Sequence, residues 1–204
     1  MTLDPIKLTI KNTNKSVKKY IKTRMEKEIV LNHLESFTKF VKPNGSILDL
    51  GCGHGRDCKY FEEQGFSVTG IDLSRKMLKV AKHICEDTKF IHMDIRETPY
   101  KKWKFDGIWA CASLYHLEKQ DFIKLINDLP NILNENGILF IAIKEGEGTK
   151  IQYKEELGVS KFYSLYKIDE ILKIIRNGGF HIIKFLYEVK SDKWMNIYAK
   201  YGRT

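Results

Sequence analysis

Three glycines at alternate positions, Gly51, Gly53 and Gly55, lie between two acids, Asp49 just before them and Asp72 about twenty residues on. The apolar run Ile47, Leu48 and Leu50, preceded by the turn signal Pro43-Asn44-Gly45, reads as a buried strand running into this turn. Glycine removes the Cβ atoms that would hold a sharply turned backbone away from a ligand, and a helix starting here points its first N–H groups at that ligand. A nucleotide-like molecule is the natural occupant. The spacing argues against a dinucleotide: the pyrophosphate fingerprint needs two residues between its second and third glycines, and here only His54 intervenes. Asp49 would repel a pyrophosphate, but it suits the ammonium group of an amino-acid-containing ligand. Phe66 to Ile71 reads as a second strand that delivers Asp72, the place from which an acid hydrogen-bonds a ribose diol in α/β nucleotide sites. A local reading competes with it. Asp72 and Ser74 both precede the amphipathic run Met77, Leu78, Val80, Ala81 and Ile84, and either makes an ordinary helix cap.

In chain order, Asp49-Leu-Gly-Cys-Gly-His-Gly55, Gly70-Ile-Asp-Leu-Ser74, His92-Met-Asp94 and Phe105-Asp-Gly-Ile-Trp-Ala-Cys-Ala-Ser-Leu-Tyr-His116 resemble the successive motifs of class I S-adenosylmethionine-dependent methyltransferases. Lys144-Glu-Gly146 and Lys193-Trp-Met-Asn196 resemble a branch of small bacterial single-domain members, and the likeness covers about residues 17 to 200. It implies a Rossmann-like fold, S-adenosyl-L-methionine as cofactor and S-adenosyl-L-homocysteine as its product. On the methyl acceptor it is nearly silent.

The resemblance also implies a cofactor-binding set: Tyr20, Arg24, Asp49, Gly51, Cys52, Gly53, Asp72, Leu73, Met77, Asp94, Ile95 and Cys111. In the family an acid at Asp94 accepts from the adenine amino group while the next N–H, Ile95, meets a ring nitrogen; in isolation Asp94 also reads as a turn former. His116 and Tyr115 are the catalytic candidates. They follow the strand Phe105 to Cys111, and ligands of parallel α/β sheets sit at the carboxyl ends of strands. Imidazole titrates near neutrality, which suits His116 to act as a base or to orient the acceptor, although a histidine bonded to backbone is the competing reading.

These residues need elements to hold them. Residues 1 to 12 are mixed and read as loosely held, whereas apolar positions from Ser16 to Val41 follow helical spacing with lysines between them. Tyr20 and Arg24 stand one turn apart there and present a ring and a cation on one side, the alternative being a core tyrosine and a solvated arginine. Helices are expected over Arg56 to Gln64, Ser74 to Ile84, Asp121 to Leu133 and Asp169 to Arg176. Strands are expected over Lys89 to Met93, Phe105 to Cys111, Ile138 to Ile143, Phe180 to Val189 and Trp194 to Lys200. Alternation of this kind predicts an α/β fold: a doubly wound, mostly parallel seven-stranded sheet with an antiparallel edge strand and N-terminal helices before the core. One methyltransferase domain is expected over residues 1 to 204, with segment 1–41 covering the cofactor site. Segment 144–166 is the variable acceptor side, polar and irregular as far as Val159 and then aromatic at Phe162, Tyr163 and Tyr166, rings that suit either a pocket wall or core.

Composition limits the alternatives. With 204 residues and 43% hydrophobic content the chain can bury one substantial core. No leader-like stretch opens it and no apolar run approaches a membrane span, so a cytoplasmic protein is expected. Cys52, Cys58, Cys85 and Cys111 show no metal-ligand spacing, and no metal site is expected. The formal charge of +9 suits nucleic acid, but only six of the 35 basic residues are arginines, the residue that reads phosphates and bases best. The run Asn/Asp-Pro-Pro-Tyr/Phe of amino-group nucleobase methyltransferases and the Pro-Cys nucleophile of the cytosine type are both missing. The expected activity is therefore transfer of a sulfonium methyl to a small-molecule acceptor. A tRNA or other RNA acceptor, or a sensor that binds the cofactor without transfer, are the alternatives, and a nicotinamide oxidoreductase is disfavoured by the glycine spacing.

Overall fold

The computed structural model describes residues 4–25, 30–97, 103–189 and 191–202, with 23–25 described by their backbone alone. Among them are nine strands: β1 (Ser46–Leu50), β2 (Ser67–Asp72), β3 (Lys89–His92), β4 (Phe105–Cys111), β5 (Leu133–Lys144), β6 (Thr149–Lys154), β7 (Val159–Ser164), β8 (Phe180–Val189) and β9 (Lys193–Tyr201). The helices are α1 (Pro5–Met25), α2 (Leu31–Phe40), α3 (Arg56–Glu63), α4 (Arg75–Ile84), α5 (Lys119–Asp128) and α6 (Ile168–Asn177). Seven strands form one sheet in the order β3-β2-β1-β4-β5-β9-β8, and β6 pairs with β7 in a separate ribbon. β1 to β5 are mutually parallel, while β9 runs antiparallel to both its neighbours, β5 and the edge strand β8. The strand order reverses between β1 and β4, and a ligand crevice opens at the carboxyl ends of strands on either side of such a point.

Helices on both faces bury the central strands twice, which is why β1 is nearly continuous apolar sequence. Trp109 of β4 and Phe140 of β5 stack at 4.0 Å and meet Phe37 of α2 and Phe61 of α3. Their neighbours Ile108, Leu139 and Ile141 point the other way, into a core with Phe122 of α5 and Ile171 and Ile175 of α6. No helix among the described residues is long and apolar enough to cross a membrane.

Three expectations need correction. Residues 5 to 15 are helix, because Asp4 caps α1 by accepting from the Ile6 N–H at 2.9 Å and Pro5 occupies the first helical position. Segment 144–159 is regular structure: β5 extends to Lys144, β6 and β7 pair along six residues each, and the Phe162-Tyr163-Ser164 stretch lies in β7. Strand five starts at Leu133 instead of Ile138, because Asn134 to Gly137 are absorbed as an irregularity in its pairing with β4. The helix before it stops at Asp128, with Pro130 in a short 3₁₀ turn. Thr98 and Pro99, expected in a loop after β3, lie outside the described residues.

Candidate functional site

The glycine turn joins β1 to α3 with φ of +81° at Gly51, +56° at Gly53 and +87° at Gly55, a region that side chains with a Cβ rarely occupy. It is tied to the neighbouring strand: the Gly51 and Cys52 N–H groups both donate to the Ile71 carbonyl, at 2.9 and 3.0 Å. Asp72 then braces it from the end of β2. One carboxylate oxygen accepts from the Gly53 N–H at 2.9 Å and the other from the Ser74 N–H at 2.7 Å. Ser74 itself caps α4 by accepting from the Met77 N–H. Asp72 thus holds the turn and stands at its mouth, while the capping job falls to Ser74.

A cleft of about 730 Å³ opens beside the turn, and Tyr20, Gly51, Gly53, Asp72, Leu73, Met77, Asp94 and Ile95 all line it. α1 forms its roof through Ile6, Ile10 and Thr13. Hydrogen bonds hold the roof down: Asn12 Nδ2 donates to the Ser160 carbonyl (2.7 Å), the Phe162 N–H donates to Thr9 Oγ1 (3.3 Å), Ser74 Oγ donates to Asn14 Oδ1 (2.6 Å) and Lys76 Nζ donates to the Asn14 carbonyl (3.1 Å). The Asp94 carboxylate is engaged by Arg96, whose guanidinium contacts both its oxygens and also reaches Asp4 at 3.1 Å and Asp121 at 3.3 Å. This cluster joins the start of α1 to the floor of the cleft and to α5.

Behind the turn lies a smaller compartment of about 370 Å³ bounded by Tyr20, Asp49, Cys52, His54, Arg56 and Cys111. Desolvation, reinforced by the charge of nearby Asp57, holds the Asp49 carboxyl well above the usual carboxylate range, and Cys58 Sγ donates to it at 3.2 Å. Desolvation also lowers the His54 pKa, and its Nε2 is buried without a hydrogen-bond partner. Burial pushes the Cys52 thiol up to about 12, which disqualifies it as a nucleophile.

A third compartment, about 1080 Å³, extends from the end of β4 over β5 and β9. Tyr20 borders all three spaces, Cys111 joins the second to the third, and Ala112 joins the first to the third. The two catalytic candidates part company here. Tyr115 faces the third compartment and stacks on Tyr163 at 5.2 Å. His116 faces the first, and its Nδ1–H donates to the Phe162 carbonyl at 2.6 Å. Burial, and secondarily the Lys161 charge, pushes its pKa down to about 3, so the ring is neutral with its lone pair on Nε2 and is a weak proton acceptor. The Arg24 side chain lies outside the described residues. Reading the sequence did not single out Ser113, Lys161 or Arg96. Ser113 follows the end of β4, where its hydroxyl is buried without a partner on the cleft wall, and that strand-end position was the available signal.

A sequence-family profile described as a methyltransferase domain matches residues 47–137. The malonyl-[acyl-carrier protein] O-methyltransferase of Buchnera aphidicola is 33% identical over 124 residues, 60% of this chain and 47% of that protein. The ubiquinone biosynthesis O-methyltransferase of Pelagibacter ubique is 33% identical over 128 residues, 61% of this chain and 50% of that protein. The chain therefore spans about half the length of the curated relatives it matches. The Burkholderia thailandensis 1,6-didemethyltoxoflavin-N1-methyltransferase superposes with a TM-score of 0.76 at 18% identity, over 100% of this chain and 93% of that one, a likeness of fold. With the glycine turn, Asp72 and the strand order in place, residues 47–137 carry a methyltransferase domain set within a Rossmann-like methyltransferase fold.

Proposed function

We propose that this protein transfers the methyl group of S-adenosylmethionine to a small-molecule acceptor. The observation that carries the reading is the meeting of three compartments at Tyr20, Cys111 and Ala112. The cleft under α1 suits the adenosine part: apolar walls for a flat base, the Asp72 carboxylate for a diol and the unpartnered Ser113 hydroxyl for a further polar contact. The compartment around Asp49, His54 and Arg56 suits an amino acid, and a Cβ added at Gly53 would meet nothing within 4 Å, leaving the backbone accessible. When bound, S-adenosylmethionine supplies an electrophilic methyl on a positively charged sulfur. The chain's share of the work is to hold donor and acceptor in line and exclude water, which needs no dedicated base where the acceptor arrives ionised. In this reading residues 1–204 act as one methyltransferase unit, segment 1–41 closes the cofactor site, and segment 144–166 serves the acceptor. Both curated relatives above are named O-methyltransferases, which supports an oxygen acceptor here.

The test is calorimetric titration with S-adenosylmethionine, S-adenosylhomocysteine and NAD in parallel. Saturable one-site binding of the first two is expected, and binding of NAD alone would overturn the reading. Asp72→Ala should keep the fold and weaken S-adenosylhomocysteine by roughly 30-fold or more, since charge-assisted hydrogen bonds contribute about 1.5–3 kcal/mol each. An unchanged affinity removes Asp72 from the site. Absence of cofactor turnover with every acceptor pool supplied from cell extract would favour a sensor.

Asp49 adds a pH signature. A ligand ammonium beside it favours the ionised carboxylate, so binding lowers a pKa that burial had raised and releases a proton. Affinity should therefore rise with pH until the free protein's Asp49 is itself ionised. In the free protein the sign is opposite for stability: the folded state keeps a proton that the unfolded chain has lost, so stability falls as pH rises through the raised pKa. Titrations in buffers of different ionisation enthalpy, over about pH 5 to 8, should show buffer-dependent heats in wild type and lose them in Asp49→Asn. Equal heats in all buffers would remove Asp49 from the contact.

A further inference from the structure

The third compartment carries more information than its volume. On the antiparallel pair β5–β9, Ala142 sits opposite Asn196 and Lys144 opposite Trp194, so all four side chains share one face of the sheet and line this space. Asn196 is 3% exposed, and its Nδ2 has no hydrogen-bond partner among the described residues. Lys144 is 5% exposed, and the one acceptor its ammonium reaches among the described residues is Asp192, at 2.5 Å. Around that ammonium stand the rings of Tyr163, Trp194 and Tyr115, with centres at 4.9, 5.3 and 5.9 Å. An ammonium has three N–H donors, and ring faces attract its charge without accepting a full hydrogen bond. Donors therefore outnumber acceptors on this face. Desolvation lowers the Lys144 pKa despite Asp192, the mark of a buried charge that is incompletely compensated.

The acids of the compartment do not reverse this balance. Asp192 is taken by Lys144 and Glu188 accepts from His33 Nε2 at 3.1 Å, while the exposed Glu156 stands at the rim with Lys154 and with Arg56, itself paired to Asp57 at 2.6 Å. A cationic acceptor would meet Lys144 at once and bring nothing for Asn196 to donate to. The Tyr115 and Trp194 rings, in edge-to-face contact at 5.8 Å, form an aromatic wall against which a flat molecule can pack.

Resting on the methyltransferase reading above, we propose that the acceptor is a planar aromatic carboxylate, whose oxygens accept from Asn196 Nδ2 and Lys144 Nζ. Lys144 and Asn196 are diagonal cross-strand neighbours, a spacing of about 7–8 Å that one small ring with its oxygen substituents bridges.

The experiment uses protein saturated with S-adenosylhomocysteine and titrates it with 4-hydroxybenzoate, 4-hydroxybenzamide and tyramine. The acid should bind at least about tenfold tighter than the amide, and tyramine should not bind. Asn196→Leu and the paired variant Lys144→Met/Asp192→Asn, which leaves no lone carboxylate behind, should each weaken the acid by about tenfold or more. Both should keep S-adenosylhomocysteine affinity within about twofold, because neither site touches the cofactor compartments. The assignment is overturned by amide or tyramine binding as tightly as the acid, by acid binding that survives both variants, or by no acid binding to the loaded wild type. Loss of S-adenosylhomocysteine binding in the wild type would instead overturn the cofactor reading, and this assignment with it.

Discussion

Trp109→Ala should produce the largest loss of stability of any single substitution considered for this chain, lowering the thermal midpoint by about 10 °C or more. The indole is fully buried between Phe37, Phe61 and Phe140, and it is also a donor: Nε1–H bonds Asp57 Oδ2 at 2.9 Å. Truncating a buried aromatic to alanine costs about 3–5 kcal/mol in lost burial and cavity formation. Losing a hydrogen bond to a charged group adds about 1.5–3 kcal/mol. Together these approach half of the roughly 5–15 kcal/mol by which a domain is stable. The effect reaches the site as well, because Asp57 stands in the first turn of α3 and Trp109 clamps that turn to the sheet directly behind the glycines. Trp109→Phe separates the two terms: it keeps most of the packing, so it should recover the larger part of the midpoint. Circular dichroism on heating measures both. A shift below about 3 °C for the alanine variant would mean that the aromatic cluster closes over the gap.

The centre of the fold was legible because its physics is local and repetitive. β1 and β4 are buried on both faces and read as mostly apolar runs, and the glycines and Asp72 report backbone demands that few other residues meet. The start of α1 was not legible by apolar periodicity, because its packed face includes Thr9, Thr13 and Ser16, all under 9% exposed. Small hydroxyl residues bury well against a strand and a helix, yet they leave no hydrophobic signal. Asp4-Pro5 was the readable sign. β6 is a different failure: Ile151 and Tyr153 are 63% and 60% exposed, so the strand has no buried face to impose a period of two and exists through its pairing with β7.

At the site, the types of residue were legible and their groupings were not. His116 and Tyr115 are adjacent in the chain, but the short 3₁₀ turn from Leu114 to His116 sends one ring toward the cleft under α1 and the other toward β9. A titratable histidine at a strand end suggested a base; its hydrogen bond to the Phe162 carbonyl, on a strand 46 residues away, is a tertiary fact. Lys144 and Asn196 are likewise unremarkable in sequence, and they acquire meaning only through the β5–β9 register that sets them on one face.

Gly51→Ala should abolish measurable S-adenosylhomocysteine binding, a loss of about 100-fold or more, with a moderate loss of stability. Two costs coincide at this position. The left-handed backbone, φ +81°, costs a residue with a Cβ about 1–2 kcal/mol. The new methyl would also sit 2.5 Å from the Ser113 Cβ, which no real pair of carbons tolerates, so either the turn or the segment after β4 must move. Both line the proposed cofactor cleft, and moving either separates the Gly51–Gly53 backbone from Ser113 across it. Gly53→Ala is the informative contrast. Its Cβ would meet no protein atom within 4 Å, so only the backbone cost of φ +56° remains, the fold should tolerate it better, and loss of binding beyond that cost would come from the methyl standing where the ligand lies. Gly51→Ala combined with Ser113→Gly removes the carbon–carbon conflict while keeping the backbone cost. It should recover affinity only in part, since the Ser113 hydroxyl is lost with it. Wild-type affinity in Gly51→Ala alone would show that the turn does not form the ligand cradle, and the proposed placement of the cofactor would then have to be abandoned.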